Sequence, residues 1–336
     1  MERGVAKQMG VKRFEEFWNK FLFQGVTPET LGLFRIQFGI GLLAFHVYQF
    51  HTLLALDIDG PHFPYIAPIW YFDVLGIINH NPALTYGFFA LLMVSTAAFA
   101  AGLFTRTSMA MLILSLLYMK GARDGISGDV HHRYVIPFNV LLVLAFSKCG
   151  HVYSVDNLIQ RGRTKLVEWE ASWPIKAGQL YICSFYLWSG LAKIRKGGFV
   201  WTYDGGKVQE ILLRMANRWG IDDLGAPLFG SEFGYELAHW VLICSFLSAA
   251  TLCMEVGFPS LLIVRNQIFR LVFLLGVTSF HVGTHVVAYV KFALLPIVFP
   301  IFFDLDGIFR AIRSRFSAED FDGDTDSGVT SFESSH

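Results

Sequence analysis

Ionisable side chains inside long apolar runs are costly, and this sequence carries a small set whose types suit proton chemistry. Lys193 lies near the end of YLWSGLAKIRKGG, where a leucine would cost nothing. A lysine in apolar surroundings beside further cations, here Arg195 and Lys196, has its ammonium form disfavoured on both counts, and a neutral amine is a base. His281 and His285 stand at i and i+4 in SFHVGTHVVAYVKF and share a helix face. GDVHHRY brings Asp129, His131, His132, Arg133 and Tyr134 together. Arg35, His46 and His51 occupy LGLFRIQFGIGLLAFHVYQFH, and Glu255 is a lone carboxylate in LCMEVGFPSLL. Each has a plain structural alternative: an interfacial anchor for Arg35 and Lys193, a satisfied buried pair for the two late histidines, a solvated loop for GDVHHRY. Ionisable groups inside spans are nonetheless functional candidates by default. Glu255, expected near the inner end of its run, is expected to pair with Arg35 across the bundle, since buried charges need partners. The histidines also suit a metal, but no HExxH pattern is present and no metal is expected.

The elements that must position these groups are membrane helices. Hydrophobic residues make up 54% of the 336-residue chain, charged residues only 16%, and mean hydropathy is +0.46. Soluble domains carry about 25% charged residues. The expected fold is all-α: a polytopic membrane helix bundle of about eight transmembrane helices, over 31–53, 84–104, 107–119, 135–148, 177–194, 236–263, 268–289 and 292–308. Residues 1–27 form an amphipathic segment, 28–308 the transmembrane domain and 309–336 an acidic tail expected to lack order. No apolar signal-peptide core precedes the first run, so that run is expected to direct insertion.

Lys and Arg favour the segments on the N-terminal side, and the first loop, 54–83, has neither. That bias predicts cytoplasmic N- and C-termini. The clusters at the ends of the fourth, fifth and seventh spans then converge on the outer half of the bilayer. Zero formal charge with no basic face argues against nucleic acid. Four cysteines without a CxxC pair read as small hydrophobes. DGDTDSG with Glu333 has EF-hand spacing but Ser327 where glycine is required, so calcium is not expected.

Five stretches in order resemble a known family: LGLFRIQFGIGLL, GLFTRTS, HHRYVIPFNVLLVLAFSKCGHVYSVD, GQLYICSFYLWSGLAKIRKGGFVW and SFHVGTHVVAYVKFALLPIVF. Together they resemble the membrane domain of vitamin K-dependent γ-glutamyl carboxylase and, more broadly, the HTTM (horizontally transferred transmembrane) family, over about residues 28–300. The resemblance implies that Lys193 is the base that deprotonates reduced vitamin K or another lipid-soluble quinol entering sideways from the bilayer. It implies that oxygen is consumed in epoxidation, with carbon dioxide as a co-substrate where carboxylation follows. His131 or His132 would orient the reacting groups, His281 falls on the FH pair, and Arg35, Tyr134, Trp188 and His285 would line the quinone site. Many HTTM members are bacterial, which implies a bacterial cell membrane.

The departures are specific. Ala192–Lys193 stands where the carboxylase has paired lysines, Arg195 where it has an acidic residue, and the chain ends soon after the last span. Glu carboxylation in a tagged protein is therefore not expected, and quinol chemistry is the better-supported part. The alternative is a non-catalytic HTTM protein that binds a quinone or lipid, or acts with a partner such as a thiol–disulfide oxidoreductase or a peptide. A transporter is the third reading, disfavoured because no internal repeat is visible.

Overall fold

Helix punctuation in this chain is largely local. Asn81 accepts from the Leu84 N–H with Pro82 at the first helical position, Ser154 accepts from the Asn157 N–H, and Asn266 accepts from both Ile268 and Phe269. The computed structural model describes residues 2–54, 68–79, 81–127, 134–162, 165–198, 206–218, 230–288 and 294–322. Fifteen α-helices lie among them. They are α1 (Glu2–Phe23), α2 (Pro28–Leu54), α3 (Trp70–Val74), α4 (Pro82–Ala101), α5 (Thr105–Ser127), α6 (Val135–Ala145), α7 (Val155–Ile159) and α8 (Glu168–Gly197). There follow α9 (Gly206–Arg218), α10 (Gly230–Ala238), α11 (Val241–Gly257), α12 (Ser260–Ile263), α13 (Gln267–Ala288), α14 (Leu295–Val298) and α15 (Leu305–Asp322). Cys149–His151 and Phe299–Phe302 are 3-10 turns.

Among the described residues three helices are long and apolar enough to cross a membrane: Pro28–Tyr48, Pro82–Ala101 and Gln267–Thr284. The first is 56% buried and central, whereas the last is only 17% buried. An apolar helix left that bare needs hydrocarbon against it. One core cluster joins α2, α4, α5, α6, α8, α12 and α13, with Phe34, Phe38, Phe99, Leu112, Leu141, Ile182 and Phe258 fully enclosed.

Several boundaries differ from the expected spans. The third run was predicted to stop at 119, before Lys120, Arg123 and Asp124; α5 continues to Ser127 because Lys120 and Asp124 pair one turn apart and Arg123 donates to the Tyr134 hydroxyl at 2.6 Å. The sixth run is interrupted. It breaks before Val241 and again at Gly257–Phe258–Pro259, where proline cannot continue the helix. The eighth is not one helix over its described part: Pro296 and Pro300 lie in a short α turn followed by a 3-10 turn. The tail is helical to Asp322, beyond the predicted onset of disorder; 323–336, with the EF-hand-like residues after Asp322, lie outside the described residues. In the long polar connection after Lys193, α9 and α10 were not foreseen.

At one end of the bundle α2, the α4–α5 turn and the segment after α6 are clasped together. Arg35, fully buried, donates to the carbonyls of Cys149 (2.7 Å), Val152 (3.2 Å) and Tyr153 (2.5 Å). Asp156 accepts from the N–H groups of Phe104 (2.7 Å) and Thr105 (2.8 Å) and from the Thr105 hydroxyl (2.7 Å). Gly102 closes α4 at φ +70°, and a Cβ there would strike Ser154 and sit 2.8 Å from an Arg35 nitrogen. Glycine is required on both counts.

Partial burial pushes the Asp156 carboxyl up, but the three hydrogen bonds and the Arg35 charge outweigh it and hold the group below its ordinary 3.8. A depressed folded value contributes stability that is complete above the ordinary value and is lost as pH falls through the folded one. Wild-type thermal stability in detergent should therefore drop on acidification below about pH 4, and Asp156→Asn, less stable at neutral pH, should show a flatter profile over that window. Arg35→Met, which strands three carbonyls, should cost about 1–3 kcal/mol for each in unfolding measurements.

Candidate functional site

A polar stripe runs up one face of α8. Tyr186, Ser189 and Lys193 are spaced i, i+3 and i+7, so they stack on one side of the helix. The neighbour on that side is α11. Gly190 makes the approach possible, for a Cβ there would lie 2.8 Å from a Val256 methyl and 3.1 Å from the Glu255 Cβ. Small residues at such crossings let helix backbones come close.

The close crossing delivers Glu255 to Lys193. Lys193 Nζ lies 2.5 and 2.6 Å from the two carboxylate oxygens, donates to Ser189 Oγ at 3.0 Å, and Ser189 in turn donates to Glu255 Oε1 at 3.0 Å. The lysine and glutamate side chains are 23% and 13% exposed. One turn further into the bundle the Tyr186 hydroxyl meets His281 Nε2 at 2.7 Å, and the Tyr186 ring stacks on Phe258 with centroids 4.0 Å apart. Glu255 is near enough for its charge to act on Tyr186.

Beside this stripe lies an open cleft of ≈ 400 Å³, lined along α8 by Tyr181, Ser184, Phe185, Trp188 and Ser189. Its size suits a small organic ligand and its walls are mostly apolar. Trp188 is 69% exposed at the mouth, and Asn139 of α6 donates to the Tyr181 hydroxyl at 2.6 Å. Ser189 thus belongs both to the cleft wall and to the charged pair.

Of the residues singled out from the sequence, Lys193, Glu255, His281 and Trp188 come together on or against α8. Arg35 does not join them. The expected Arg35–Glu255 pair is not formed, because Arg35 is spent on carbonyls in the clasp and Glu255 pairs with Lys193 across the close α8–α11 crossing. The carboxylate also changes the surroundings expected for Lys193, which faces an anion while Arg195 and Lys196 are exposed. Tyr134 sits at the start of α6, bonded to Arg123. His131 and His132 lie outside the described residues, and His285 is placed only by its backbone, one turn beyond His281 on α13. Among the described residues no three His, Cys, Asp or Glu side chains gather as metal ligands would. Tyr186 and Ser189 were missed by sequence reasoning, although their helical spacing from Lys193 marks the same face.

Comparison with protein-family models, with curated proteins and with solved structures finds no match.

The crossing at Gly190 is testable directly. Gly190→Val inserts an isopropyl group into the α8–α11 contact, with an expected loss of about 1–3 kcal/mol. Thermal unfolding in detergent should show that loss, and removing the carboxylate by Glu255→Gln in the same background should cost less than it does alone, since the pair is already separated.

Proposed function

We propose that this chain is a membrane-embedded enzyme of the vitamin K carboxylase type, in which the Lys193–Glu255 pair takes a proton from a lipid-soluble quinol held in the adjoining cleft. The observation that carries this reading is a largely buried lysine–carboxylate pair sharing Ser189 with an open, aromatic-lined cleft. The bound quinol would supply an acidic hydroxyl and, with oxygen, the chemistry of epoxidation, with carbon dioxide entering where an acceptor is carboxylated.

The chain's own residues account for the proton. Glu255 accepts a proton from the Lys193 ammonium, and the freed amine then accepts the hydroxyl proton from the cleft side. Ser189 holds the carboxylate in register throughout, and the Tyr181, Phe185 and Trp188 rings offer flat faces for an aromatic headgroup. His131 and His132 remain the candidates for orienting the reacting groups.

The same reading takes the bundle as about eight crossings with both termini cytoplasmic, in the cell membrane of a bacterium. Support comes from where the connections meet. Thr30 bonds Asp304, Arg35 bonds the segment after α6, Lys148 pairs with Glu170, and Arg270 donates to Phe302. All are segments that alternating passes would leave on the N-terminal side.

A second reading rests on Trp188, which is too exposed to enclose a substrate and would suit a surface that holds a quinone or lipid for a partner protein without turnover.

Detergent-purified protein given reduced vitamin K and oxygen should yield the epoxide by mass spectrometry. Lys193→Ala should lower the rate at least about 100-fold and Glu255→Gln should lower it too, as loss of a positioned base does. A well-folded Lys193→Ala protein with wild-type turnover would sink the enzymatic reading. Stoichiometric quinone binding without turnover would favour the second.

A further inference from the structure

A separate group of cations sits at the clasped end of the bundle, away from Lys193. Seventeen residues of helix separate Lys176 from Lys193 on α8, about 25 Å at 1.5 Å per residue. That approaches the thickness of a hydrocarbon core. Arg270, in the first turn of α13, is anchored by its Nε on the Val264 carbonyl (2.9 Å) and its Nη1 on the Phe302 carbonyl (2.7 Å). Gln179, one turn along α8 from Lys176, donates to the adjacent Ile301 carbonyl at 2.7 Å, so both helices abut the same 3-10 turn. Arg265, exposed, lies in the link before α13. The charges of Arg270 and Arg265 both act on Lys176. Lys176 is also 5.4 Å over the ring of Phe21, from the last turn of α1.

Three mutually repelling cations held together are unfavourable without an anion. Among the described residues none of the three is ion-paired, and the charges acting on Lys176 and Arg270 are only one another's and Arg265's. Directly along α13 from Arg270 the surface turns apolar and bare, with Ile268 73%, Val272 64% and Leu275 55% exposed. On the other flank α1 leaves Phe14 and Phe17 more than 60% exposed. The arrangement is a basic head region set above an acyl-chain surface, with an amphipathic helix alongside.

We propose that Lys176, Arg265 and Arg270 form a binding site for the phosphate headgroup of an anionic phospholipid, whose chains lie along α13. Anionic headgroups occupy basic pockets between membrane helices in this way. A free phosphate shares the headgroup chemistry but has no chains to lie on the apolar face beside Arg270.

The test is native mass spectrometry of the full-length protein released from mixed micelles of phosphatidylglycerol and phosphatidylcholine. The wild type should retain phosphatidylglycerol preferentially. Arg270 is woven into the backbone, so the variant is Lys176→Gln with Arg265→Gln, which spares it. That double variant should lose the preference by about tenfold or more, at roughly fivefold per cation. Arg310→Gln with Arg313→Gln, a control that removes two cations of α15, should leave it unchanged. Equal loss in the control would reduce the effect to overall charge and overturn the site, as would no loss in the double variant. Release of the lipid by millimolar inorganic phosphate would assign the cluster to a soluble anion instead, and equally overturn the lipid assignment.

Discussion

The Arg35 guanidinium is fully buried, and its partners are three carbonyl oxygens on one short irregular segment between α6 and α7. A cation so placed is tolerable only if those carbonyls are presented together, and they converge only because Cys149–His151 turns tightly and Tyr153 takes a left-handed conformation at φ 47°. The turn is held from outside by Asp156, which caps the start of α5 and lies near enough to offset the Arg35 charge. Five helices, α2, α4, α5, α6 and α7, are thereby tied at one end. The relative rotation of α4, α5 and α6, and so the wall against which α8 packs, follows from that knot.

Much of this was legible as composition and little as contact. Apolar runs announced the helices; Asn81, Pro82, Gly102 and Asn266 prove to be the local end signals, which apolar runs alone did not use. Where charge fell inside a helix the reading failed. Lys120 and Asp124 looked like the end of a span, yet at i and i+4 they neutralise each other, and α5 passes through them. GLFTRTS and SVD carried no hint of contact, and that Thr105 and Asp156 meet across fifty residues is a tertiary fact with no sequence period.

The candidate site divides the same way. Lys193, His281 and Glu255 were each visible as anomalies, since ionisable groups in apolar runs stand out one at a time. Their pairing was not visible. Assigning Glu255 to Arg35 rested on its place in the sixth run alone, whereas the crossing at Gly190 sets the carboxylate against Lys193. Tyr186 and Ser189 carried no anomaly because tyrosine and serine are ordinary in membrane helices; their only signal was helical phase with Lys193.

Why α8 keeps a lysine where leucine would be cheaper can be argued from the partner. Replacing Lys193 by leucine would leave Glu255 and the Ser189 hydroxyl facing an apolar side chain, so the charge is stable only as a pair. Replacing both by hydrophobes would remove that difficulty and, in comparable buried pairs, often stabilises the fold. A pair retained against that option is more than a staple, because Gly190 has been used to bring it together and its hydroxyl neighbour opens onto a cleft. The clasp at the opposite end holds a charge of another kind: Arg35 is fully enclosed and bonded to backbone carbonyls. Lys193 is partly exposed, bonded to side chains, and separated from a cleft only by Ser189.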